Sequence, residues 1–93
     1  TTETYHYHGI NYTWHHEPQN LYQNRHIKLY DCVQAINDCQ VPQELQVNGE
    51  ERWKYIGKSS AGIITVITAE DEAHIITAWH SSSAEVKEWL AWH

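Results

Sequence analysis

RWKYIGKSSAGIITVITAEDEAHIITAW, residues Arg52 to Trp79, decides the fold. It holds three strand-like runs and two turn signals. Arg52–Lys58 alternates, with Trp53 and Tyr55 on one face and Arg52, Lys54, Ile56 and Lys58 on the other. Ser59-Ser60-Ala61-Gly62 reads as a turn. Ile63–Ala69 is rich in β-branched residues, as suits a central strand buried on both faces. Glu70-Asp71-Glu72 is an acidic turn before a third strand, His74–Trp79. Connections this short join antiparallel neighbours, so the stretch predicts a meander.

The flanks extend this sheet. Upstream, Asn48-Gly49 is a tight-turn signal, and Glu44–Val47 can pair across it as an edge strand. Leu29, Cys32, Val33, Ile36 and Cys39 recur at helical spacing and predict a helix over Leu29–Gln40, closed by Val41-Pro42. A shorter helix is predicted over 17–25, with Pro18 in its first turn. Tyr, Thr and His over 5–14 predict one strand, bent near Gly9. Downstream, Ser82 and Glu85 fit a capping box for a last helix that turns Val86, Trp89, Leu90 and His93 toward the sheet. Strands and helices that do not alternate predict an α+β class. The expectation is a single domain, 1–93, of order β-α-α-β-β-β-α, with a small antiparallel sheet and helices packed mainly on one face.

The net charge of −6 repels a phosphate backbone and disfavours broad nucleic-acid binding. Half of the six basic residues, however, lie within seven positions: Arg52, Lys54 and Lys58. Cys32 and Cys39 are seven apart on one helix, about 10 Å along its axis, too far for a disulfide, and read as buried thiols. The chain shows no secretory leader and no apolar run approaching the ~20 residues of a membrane span, which sets the expectation of a cytoplasmic protein without a membrane partner.

Several short motifs resemble the RelE-like ribonuclease toxins of bacterial toxin–antitoxin modules, and among them the BrnT toxins and their uncharacterised relatives. The matching positions are Trp14, the pair Arg25-His26, the run Glu51-Arg52-Trp53-Lys54-Tyr55-Ile56-Gly57, and the strand end Ile76-Thr77-Ala78-Trp79. Trp79, followed by His80, stands where a BrnT-like toxin carries arginine; the uncharacterised relatives end this strand with Thr-Ala-aromatic. The resemblance implies a RelE-like fold, metal-independent RNA cleavage without a cofactor, an RNA substrate and an antitoxin partner in a mobile-element system.

Such cleavage needs a base for the 2′-hydroxyl, cations for the phosphorane-like charge and an acid for the leaving oxygen. The resemblance makes Arg52, His80 and His26 the candidate catalytic residues. Arg25, Lys54, Lys58 and Trp79 are the candidate substrate contacts, with Trp79 stacking on a base. Each has a plainer reading: a solvated strand face with edge lysines, a loop histidine before a helix cap, a helix-terminal histidine, and a core tryptophan. Glu85 is better explained as a cap than as a catalytic group. His6-x-His8 share a side of a strand, but nothing further stands at ligand spacing, so no metal site is assigned.

Two functional classes follow. One is a toxin-like, metal-independent endoribonuclease. The other is a non-catalytic interaction domain of the same fold, acting through its Tyr/Trp surface as a homodimer or on a protein partner; the acidic charge and the Arg-to-Trp departure point to it.

Overall fold

The β-branched run forms the middle of a six-stranded sheet in a computed structural model of the chain, which describes residues 3–14 and 26–92. The elements are β1 (Glu3–Tyr7), β2 (Ile10–Trp14), α1 (Leu29–Asp38), β3 (Gln43–Val47), β4 (Glu50–Ser59), β5 (Gly62–Ala69), β6 (His74–His80) and α2 (Ser83–Trp92). The helix expected over 17–25 lies outside the described residues. Strand order is β1-β2-β6-β5-β4-β3. Ile64, Thr65, Val66, Ile67 and Thr68 are all buried, so β5 is covered on both faces as its composition requires.

The meander and its upstream hairpin form as expected. Asn48 and Gly49 both take left-handed φ, 53° and 80°, the geometry of a tight turn that follows strand twist. Lys54 pairs with Ile67, Ile56 with Thr65 and Gly57 with Ile64. β6 answers β5 with Thr65 opposite Trp79 and Ile64 opposite His80, and a register shift between Ile67 and Thr68.

Three expectations are corrected. The single strand over 5–14 is a hairpin. His8 and Gly9 turn it with φ of 50° and 79°, and Tyr5 pairs with Tyr12. The sheet is mixed rather than antiparallel: β2 runs parallel to β6, with Trp14 opposite Ile75. The two described helices take opposite faces rather than one. α1 packs on the face of Tyr12, Trp14, Tyr55, Ile64 and Val66. α2 reaches Lys54 and Trp79, which alternate to the other face.

α1 is bound from both sides. It contacts β4 and β5 and also β1 and β2, at the far margin, so the sheet curls around it. Its buried stripe is Leu29, Cys32, Val33 and Ala35, and Asp31 caps its start by accepting the Lys28 N–H at 3.1 Å. Gly57 allows the close approach to β4: a Cβ there would lie 2.1 Å from the Ala35 carbonyl oxygen. Val33, Ile56, Ile64 and Val66 are at most 2% exposed, each contributing roughly 1.5–3 kcal/mol by burial. α2 is held differently. It has no fully buried residue, and Leu90, expected against the sheet, is 57% exposed. Its attachment is polar.

Candidate functional site

The polar attachment of α2 brings together two of the candidate residues. β4 alternation places Lys54 on the α2 face opposite Ile67, and β6 places Trp79 on the same face opposite Thr65, two residues along β5. Both meet Glu85. The Lys54 ammonium lies 3.2 Å from Glu85 Oε2, and the Trp79 indole N–H donates to Glu85 Oε1 at 3.1 Å. The capping box forms as well: Ser82 N–H donates to Glu85 Oε1 at 2.9 Å, and Glu85 N–H donates to Ser82 Oγ at 3.3 Å. Burial alone would raise the Glu85 carboxyl. Bonds from Ser82, Trp79, Lys54 and Thr65 outweigh it and hold the group at about 2. Glu85 is therefore ionised across the physiological range, and Lys54 is spent on it.

Arg52 shares that face but not that cluster. Its guanidinium pairs with Glu50 and donates to the Glu51 carbonyl at 3.0 Å. The shallow surface beside it is bounded by Glu50, Glu51 and Glu70. An incoming phosphate would meet carboxylates first. Lys58 is exposed at the other end of β4, and its backbone N–H donates to Asp38 Oδ2 at 2.8 Å.

The histidines lie elsewhere. His80 is exposed at the end of β6 and alternates with Trp79, so it points away from Lys54. Arg52 pairs with Ala69 and His80 with Ile64; these partners are five positions apart on β5, about 17 Å at ~3.4 Å per residue. His26 is exposed at a φ of 57° before α1, and its neighbour Ile27 is buried in the core under that helix. Arg25 lies outside the described residues. Arg52 and His80 are thus not brought together, and His26 lies on neither of their strands. His6 bonds Asn11 at 2.6 Å, whereas His8 enters the turn against the Tyr7 ring, so strand alternation no longer sets its direction. Among the described residues no group of three His, Cys, Asp or Glu could hold a metal ion.

Two features escaped the sequence reading. Asp38 is a junction: Oδ2 accepts both the Lys58 N–H and the Trp89 indole N–H at 2.9 Å, tying α1, β4 and α2 together. Nothing in the sequence marks it beyond its place at a helix end. The second is a groove of about 310 Å³ along α1, walled by Tyr5, Tyr7 and Tyr30. Tyr5 and Tyr7 alternate to the α1 side of β1, a placement legible only once the hairpin is known.

Comparisons with protein-family models, curated proteins and solved structures find no match to this chain. No helix among the described residues is long and apolar enough to cross a membrane.

Proposed function

We propose that the chain is a non-catalytic interaction domain that takes a protein partner, or a second copy of itself, through its tyrosine-rich surface. One observation supports this reading most. The two strand cations best placed to clamp a phosphate are each closed by a carboxylate of the same chain, Arg52 by Glu50 and Lys54 by Glu85. Transition-state stabilisation of RNA cleavage needs cations aimed at developing charge, with an acid and a base within hydrogen-bond reach of the same phosphate. Here His80 points away from Lys54 and lies about 17 Å along the sheet from Arg52, and Glu85 is too acidic to carry a proton. In this proposal the domain is a non-catalytic relative of the RelE-like toxins, an accessory protein of a toxin–antitoxin or mobile-element system.

The test is RNA cleavage. A structured RNA incubated with the protein between about pH 5 and 8 spans histidine titration. Intact RNA, with no difference between the parent and an Arg52→Ala/His80→Ala double variant, is the expected result. Cleavage that the double variant loses would replace this reading with the ribonuclease one.

A further inference from the structure

We infer that β3 is a self-association edge: two copies of the chain join their sheets by antiparallel pairing of β3 with β3 about a two-fold axis at Leu45. This goes beyond the reading above, because it uses none of the tyrosine-rich surface.

β3 ends the sheet, and its outer side bonds nothing among the described residues. The turn at Asn48-Gly49 sets which groups face out. A two-residue turn of this kind closes on a hydrogen-bonded pair, here Val47 with Glu50. Bonding then alternates along the strand. Val47, Leu45 and Gln43 direct their N–H and C=O to β4, and Glu44 and Gln46 direct theirs outward. The edge lacks the usual devices that prevent pairing: its register to β4 runs without a bulge, and it carries neither lysine nor proline, Pro42 lying just before it.

The hairpin is also poorly covered. β4 pairs with β5 only from Arg52 onward, so the tip, Gln46–Glu51, reaches past β5. A tip of two strands is marginal in water. Val47 stands on it 47% exposed. β4 is the element β3 packs on closely, whereas β1 at the other margin is backed by α1. A second copy would set a pair of strands beside this pair and shelter Val47.

The strand is complementary to itself. With the axis at Leu45, Glu44 falls opposite Gln46 of the second copy, and the outward groups of these residues meet. Val47 falls opposite Gln43, and Leu45 opposite its own equivalent. No carboxylate opposes a carboxylate. On the Leu45 face the cross-strand row reads Glu50, Val47, then Gln43 and Lys54 of the second copy, so the acidic start of one β4 lies toward the basic middle of the other. The axis therefore relieves at the edge the repulsion that a net charge of −6 would otherwise set between copies.

An interface of so few side chains is small, and the dimer should dissociate at about 0.1 mM. Sedimentation equilibrium of the whole chain between about 0.02 and 1 mM reads this, and amide shifts of the 15N-labelled protein on dilution should map to β3. Gln46→Glu, at an exposed position, sets a carboxylate against Glu44 on both sides of the axis and should weaken association about fivefold or more. Titrated into labelled Gln46→Glu, unlabelled Glu44→Lys should bind more tightly than parent binds parent, because opposite charges then meet across the axis. Glu88→Lys changes the net charge equally on α2 and should bind more weakly than that. A monomer at about 1 mM, a dimer indifferent to Gln46→Glu, or equal binding by the two lysine variants would overturn the assignment. Dilution shifts at Tyr5, Tyr7 and Tyr30 would overturn it too, and would move the dimer to the tyrosine-rich surface. So would a monomer whose β3 amides shift only with the basic extended peptide acetyl-(Lys-Thr)4-amide, which would give the edge to a strand of another protein.

Discussion

Replacing Glu85 by Gln should cost the domain a large share of its stability, and the cost should depend on pH. The carboxyl is held at about 2 against an ordinary 4.5. A group depressed in the folded state contributes stability that is complete above its unfolded value and is lost as pH falls toward the folded one. At about 1.4 kcal/mol per tenfold, the difference is worth about 3 kcal/mol at pH 7. Water reaches 12% of the Glu85 side chain and 21% of that of Lys54, so this is an upper figure. At pH 3 the same linkage leaves only about 1.4 kcal/mol, because the unfolded carboxyl is then largely protonated. Gln keeps the neutral hydrogen bonds to Ser82 and Trp79 and loses the charge. Urea unfolding followed by tryptophan fluorescence, with equal slopes for parent and variant, gives the gap directly. The expected gap is about 2–3 kcal/mol at pH 7 and about half that at pH 3. For a domain whose total is roughly 5–10 kcal/mol this is a severe loss. A gap below about 0.5 kcal/mol at pH 7, or one that does not change with pH, would refute the claim that Glu85 anchors α2 through its charge.

Other consequences are equally specific. Gly57→Ala should destabilise by about 3 kcal/mol or more, since the new methyl meets helix backbone at Ala35 rather than a side chain that can move; thermal unfolding checks it. Asp38→Ala should release the Trp89 indole and the β4 edge together, at about 2 kcal/mol, and hydrogen exchange should show α2 amides losing protection before those of α1. Burial raises both thiols, Cys32 far more than Cys39, so a thiol reagent at mildly alkaline pH should label Cys39 slowly and Cys32 only after unfolding.

The parts of the fold that were legible are those encoded by short-range signals. The run Ile63–Ala69 could only be a buried strand. Asn48-Gly49 named its own turn, and Ser82 with Glu85 named the start of α2. His8-Gly9 makes the same turn as Asn48-Gly49 but hides it, because His-Gly is not among the usual hairpin-turn pairs and the flanking Tyr/His alternation runs on through it. The parallel pairing of β2 with β6 joins residues about sixty positions apart, and no turn residue records it. Missing it concealed the curl of the sheet and, with it, the tyrosine groove. In the candidate site, alternation along β4 correctly grouped Arg52 with Lys54. It said nothing of which carboxylates would answer them: Glu85 is thirty-one residues from Lys54 and reaches it only because α2 takes the second face. His80 follows Trp79 in sequence and for that very reason points the other way.

The central claim is that the strand cations are neutralised within the chain. Fluorescence anisotropy of a labelled single-stranded RNA, titrated with the protein at about 50 mM salt, measures this most directly, because phosphate contacts are strongest there. Neutralised cations predict no saturable binding up to about 100 μM protein, and no change in Arg52→Ala. Micromolar binding that weakens with salt at a slope of about two or three phosphates, and that Arg52→Ala and Lys54→Ala reduce, would contradict it.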